Sequence, residues 1–250
     1  MSDTPDMEVA RRFLIDNHPP GQVLLCAITG SHHYGFSSPD SDLDIKGIHQ
    51  SPTEQFLGLS RPVDAYDRLD FLQGVECDLT TNEVGRSVSL LLKGNGNMLE
   101  RIFSPYRVYD THLDVFRHLA RGAASQASFN HYHGYFGGMK REHLRDGQAK
   151  SMLYTYRVAL TGIHFLNTKE VVAHLPTLAG EYGFAEVMEL VEMKATTAER
   201  LPLSLEESER WRNNWPKLEE MLGAARDESP LPLGPANGDE CQDWLIELRR

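Results

Sequence analysis

The hydrophobic pattern changes period along the chain. Val23-Leu24-Leu25-Cys26-Ala27-Ile28 is an unbroken apolar run that stops at Thr29-Gly30, as a central strand does before a functional turn. Leu43-Asp44-Ile45-Lys46-Gly47-Ile48 then alternates, and the turn-rich Ser37-Ser38-Pro39-Asp40-Ser41 precedes it, so a βαβ-like lead-in is predicted. Val75-Glu76-Cys77-Asp78-Leu79 repeats the period of two and passes into Thr80-Thr81-Asn82-Glu83, which reads as a helix start. Strand-and-turn character persists to residue 80 and helical spacing takes over afterwards. Helical patterns are predicted over 129–144, 150–167, 169–183, 184–200 and 205–225, punctuated by Pro202 and Pro216. Residues 228–235, rich in proline, read as a linker before a last short helix. A break near Arg121-Gly122-Ala123 divides the chain into an α/β domain, 1–122, and a mainly helical domain, 123–250.

The polar positions of the first domain carry the chemistry. Asp42 and Asp44 are two apart on a strand, so both carboxylates leave one face while Leu43 and Ile45 pack on the other. Carboxylates held together raise each other's pKa unless a cation lies between them, and Mg²⁺ (or Mn²⁺) bound by one or two carboxylates plus phosphate oxygens resolves the conflict. Gly30-Ser31 supplies the other half of such a site, since glycine lets the backbone approach a phosphate and a hydroxyl can hold its oxygens. A third carboxylate is expected on a neighbouring strand. Asp78 and Glu76 share a face, and Asp78 is preferred as nearer the strand end.

The run Gly30-Ser31-His32-His33-Tyr34-Gly35, followed by Ser41-Asp42-Leu43-Asp44-Ile45-Lys46-Gly47, resembles the signature of the DNA polymerase β-type nucleotidyltransferase superfamily, in particular its stand-alone bacterial RNA-repair-pathway-like members. Residues 90–103, 150–157 and 244–249 are similar to later helices of that family, with Gly96 where proline is usual. The resemblance implies a mixed sheet of five or fewer strands with flanking helices. It also implies binding of an NTP with Mg²⁺ and transfer of its nucleotidyl group to a hydroxyl with release of pyrophosphate. Gly30 and Ser31 would contact phosphate, Asp42, Asp44 and Asp78 would be the catalytic metal ligands, and Lys150 and Arg157 are further nucleotide-binding candidates. The acceptor does not follow from fold and donor chemistry. An RNA end is the first expectation and a protein or small molecule the alternative; a helical-domain ribonuclease using Arg157 and His164, or a degenerate nucleotide-binding module, stands behind them.

Composition narrows these readings. A hydrophobic share of 40% and a charged share of 24% belong to a globular chain with an ample core. With no apolar run of membrane-spanning length and no leader pattern, a cytoplasmic protein is expected. Cys26, Cys77 and Cys241 are scattered, so core packing is expected in preference to disulfides or zinc. The net charge of −11 opposes indiscriminate nucleic-acid binding. Residues 123–180 nevertheless hold six basic side chains against three acidic, with histidines and tyrosines interleaved, which makes them the first place to look for an RNA-guiding surface.

Overall fold

The computed structural model describes residues 4–59, 61–197 and 200–250. They form two compact units: an α/β unit of residues 4–33, Asp42–Ala124 and Pro235–Arg250, and a helical unit of Tyr34–Ser41 and Ser125–Gly234. The C-terminal segment thus belongs with the sheet, where a single break at 122/123 would have put it with the helices. Helix α12 (Gly238–Leu248) is fastened there by Trp244, edge-on to Phe116 at 5.5 Å, and the segment ends with Arg249 paired to Glu83 at 2.9 Å.

The α/β unit is built on a five-stranded mixed sheet. Its strands are β1 (Gln22–Ile28), β2 (Leu43–Gln50), β3 (Ala65–Leu72), β4 (Val75–Glu83) and β5 (Arg107–Tyr109), in the order β3-β4-β2-β1-β5. Only β2 and β4 are parallel; β1 and β2 are antiparallel neighbours, so the lead-in is not a βαβ crossover. The alternation of β4 continues past Thr80 because Thr81 and Glu83 are buried, and the helix expected there starts later, at α3 (Val84–Leu92), capped by the Glu83 carboxylate. One sheet face packs on α1 (Met7–Asp16), whose Val9, Ala10, Phe13 and Leu14 cover Cys26, Ile28, Leu43, Ile45, Cys77 and Leu79. That helix lies inside the stretch read as strand and turn; its i, i+3, i+4 spacing and its Asp6 cap are visible in the sequence. Helices α4 (Gly96–Phe103), started by the Asn95 cap, and α5 (Leu113–Ala123) complete the unit. All three cysteines are buried thiols, and burial pushes Cys26 up to about 12.

In the helical unit, α6 (Ser128–Asp146) and α7 (Ala149–Thr168) join through Gly147, whose φ of +62° lets the chain reverse. Helix α7 is buried almost all round and forms the unit's axis. Its Gly162 admits Tyr132 of α6: an added Cβ would stand 2.7 Å from the Tyr132 Cβ. The pattern over 169–183 yields only α8 (Leu175–Glu181), and that over 184–200 yields α9 (Met188–Thr196), with Ala198 and Glu199 outside the described residues. Asn213 and Asn214 split 205–225 into α10 (Leu205–Arg212) and α11 (Trp215–Asp227), with Pro216 in the first turn of α11. The proline-rich stretch is pinned and not a loose linker, since Ser229 Oγ donates to Leu166 O at 2.6 Å and Gln126 N to Pro232 O at 2.8 Å. No helix among the described residues is long and apolar enough to cross a membrane.

Candidate active site

Strand β1 delivers the chain to Gly30 at the start of a single helical turn, α2 (Gly30–Tyr34), where the sequence suggested an open loop. Thr29 N donates to Asp44 O at 2.9 Å, which ties this corner to the start of β2. Gly30 has a φ of +66°, and a Cβ there would lie 1.8 Å from Asp44 Oδ2. Glycine is therefore required twice over, by backbone conformation and by the close approach of the carboxylate. Ser31 beside it is buried, and its Oγ has no hydrogen-bond partner among the described residues. Of the two histidines that follow, His33 is buried and His32 partly so.

Asp42 lies just before β2 and Asp44 is its second residue, with Leu43 and Ile45 buried beneath them as the alternation predicts. Asp42 Oδ1 is buried with no hydrogen-bond partner among the described residues. Burial raises the Asp44 pKa above the usual carboxylate range; the neighbouring Lys46 opposes the shift, and the charges of Asp42 and Asp78 add to it. Asp78 stands level with Asp44 across the parallel β2–β4 pair, in the middle of β4 and not near a strand end. Glu76 is exposed and pairs instead with Phe71 of β3.

Lys46 is the residue that sequence reasoning passed over. Its Nζ lies 2.7 Å from Asp78 Oδ2 and 3.3 Å from Asp44 Oδ1, and it also donates to Thr80 Oγ1 at 3.4 Å. The signal was present, because a third polar residue at the same period of two must share the face of Asp42 and Asp44. Among the described residues no three Asp, Glu, His or Cys side chains converge as a preformed metal cluster. An orphaned Asp42 oxygen beside a half-buried Asp44 whose pKa is raised still fits one hard cation completed by phosphate oxygens and water. A second ion shared with Asp78 would have to displace the Lys46 ammonium.

Lys150 and Arg157 belong to the helical unit, on α7. Arg157 is completely buried, with its guanidinium 4.0 Å from the Tyr34 ring centroid and 5.3 Å from that of Tyr154. His164, its partner in the ribonuclease reading, is buried too and hydrogen-bonds Tyr182 at 3.1 Å. Two of the six basic side chains of residues 123–180 are in ion pairs, Lys140 with Glu219 at 2.7 Å and Arg145 with Glu142 at 3.0 Å.

One family model, described as the RNA repair pathway DNA polymerase beta family, matches residues 6–247 and so takes in all five strands and the Gly30, Asp42, Asp44 and Asp78 corner. The chain belongs to that family. An uncharacterized protein of Methanocaldococcus jannaschii is similar to this polymerase beta family member at 27% identity over 151 residues, 59% of this chain and 61% of that protein. The chain thus spans about three fifths of the length of that curated relative. Among solved structures, a nucleotidyltransferase-like protein from Exiguobacterium sibiricum 255-15 matches at 14% identity with a TM-score of 0.35, over 98% of this chain and 79% of that one.

Proposed function

We propose that this protein is a divalent-metal-dependent nucleotidyltransferase that moves an NMP from an NTP to an acceptor hydroxyl, with an RNA end as the acceptor. The observation that carries the reading is the Gly30 corner: a glycine packed against Asp44, an unpartnered Ser31 hydroxyl and an orphaned Asp42 oxygen, in a chain of a polymerase beta family. Gly30 and Ser31 would take the triphosphate oxygens, and Asp42 and Asp44 would hold Mg²⁺. The ion, when bound, neutralises charge that develops on the departing pyrophosphate. Lys46 holds the Asp78 carboxylate in place by its ion pair at 2.7 Å. In the reaction the acceptor oxygen attacks the α-phosphorus in line, its proton passes to Asp78, and the bond from the α-phosphorus to the bridging oxygen breaks to release pyrophosphate.

The test is incubation with each α-labelled NTP, Mg²⁺ or Mn²⁺, and total cell RNA or protein. The reading expects label in RNA, dependent on metal. Label in protein alone would keep the transfer chemistry and remove the RNA acceptor, and no label in any fraction would contradict the function.

A further inference from the structure

Two arginines of the α/β unit gather round one aromatic ring, and a third stands close to them. Arg117 and Arg121, one turn apart on α5, hold their guanidinium carbons 5.9 Å and 5.8 Å from the Phe103 ring centroid. Arg107 on β5 donates to the carbonyl of Ile102, the residue before Phe103, at 3.4 Å. None of the three makes an ion pair among the described residues, and the Arg117 Nε is buried there without a hydrogen-bond partner. Elsewhere in the same unit Arg12, Arg68 and Arg249 each pair with an acid. Burial, and next the charge of Arg117, lowers the Arg107 pKa against the smaller opposing effect of the Asp110 carboxylate, so the two cations are close enough to repel. Like charges four apart on a helix, as Arg117 and Arg121 are, also oppose each other. In a chain of net charge −11 such a cluster calls for an anion from outside.

Its position connects it with the proposed site. Arg107 pairs with Ala27 across β1 and β5, and Ala27 pairs with Lys46 across β1 and β2. Arg107 and Lys46 therefore share one row of the sheet, two strand spacings or roughly 10 Å apart. The ring of Phe103 is only partly buried, which leaves an aromatic surface between the cations.

We propose that Arg107, Arg117 and Arg121, arranged about Phe103, bind the phosphodiester backbone of the acceptor RNA. The inference rests on the nucleotidyltransferase reading for its acceptor but makes a separate claim about the surface. Guanidinium groups match phosphate oxygens two at a time, and a half-buried ring accepts a base by stacking. Salt dependence then becomes the readout, because each neutralised phosphate of a single strand releases counterions.

The experiment measures anisotropy of a fluorescein-labelled single-stranded RNA with the full-length protein between low and moderate salt. In R117Q/R121Q, folded by circular dichroism, affinity at low salt should drop on the order of tenfold and the log–log salt slope should flatten by about 1.4, two contacts at about 0.7 each. R117K/R121K should recover most of the slope. The Asp42→Asn protein should bind RNA with the wild-type slope while failing to transfer label, so loss of the catalytic reading and loss of the RNA surface give different results. Unchanged affinity and slope in R117Q/R121Q, no RNA binding by the wild type, or equal loss in R117K/R121K would each overturn the proposal.

Discussion

The ammonium of Lys46 lies between Asp44 and Asp78, 3.3 Å from one carboxylate and 2.7 Å from the other. A positive charge already stands where a second metal ion would be shared. Lys46→Gln should vacate that place without breaking the sheet, since the side chain is on the polar face of β2. Calorimetric titration with Mn²⁺ should then show two ions per chain, against one for the wild type. One ion in both proteins would mean that Lys46 does not compete with metal.

The same pairing ranks the acids of β4. Asp78 is level with Asp44 and held by Lys46, whereas Glu76 is exposed one pleat away. Asp78→Ala should lower kcat by several orders of magnitude with little change in NTP affinity, and Glu76→Ala should be mild. Steady-state kinetics on the two variants decides it, and the reverse ranking would move the proton acceptor to Glu76.

Gly30→Ala should be costly in two measurements at once. The positive φ disfavours any Cβ by about 1 kcal/mol or more, and the added carbon would push the Asp44 carboxylate aside. Thermal melting should show lower stability, and transfer should fall further than the loss of folded protein explains. An alanine variant with wild-type activity would mean that Asp44 need not sit against the backbone.

Acid stability should depend on His131 of the helical unit. Burial, and next the charge of Arg157, lowers its pKa from 6.5 to about 4. The unfolded chain therefore takes up a proton below pH 6.5 that the folded chain refuses, and stability is lost as pH falls from 6.5 towards 4. The upper bound is roughly 3 kcal/mol at 1.36 kcal/mol per unit. Denaturant unfolding at pH 7 and pH 4.5 should show this loss in the wild type and much less of it in His131→Asn; equal losses would assign the pH dependence to other groups.

The core of the sheet and the carboxylate corner were legible because their signals are local. A six-residue apolar run, a stop at glycine and a period of two from Leu43 place β1 and β2 correctly, with Asp44 on β2 and Asp42 just before it. Lys46 obeys the same period, but its role depends on β4 arriving parallel in a register that sets Asp78 beside Asp44, which no local pattern encodes. Arg117 and Arg121 likewise look like an ordinary solvated helix face until Phe103 and Arg107 are brought to them from other elements. The basic count over 123–180 is blind to tertiary placement for the same reason: Lys140 finds Glu219, 79 residues away in sequence, and Arg157 turns inward among tyrosine rings.

Asp42→Asn and Asp44→Asn test the central claim most directly. Each removes one negative charge from the corner where the metal and triphosphate are proposed to meet and leaves the apolar core of β2 untouched. Because the raised Asp44 pKa means that its ionised form is disfavoured in the folded state, the metal-free Asp44→Asn protein should be no less stable than the wild type above the ordinary carboxylate value of 3.8. The decisive measurement is transfer of label from an α-labelled NTP in the presence of Mg²⁺ or Mn²⁺ by the wild type and by both folded variants. The account predicts metal-dependent labelling by the wild type and none above background by either variant; near wild-type transfer by either one would contradict it.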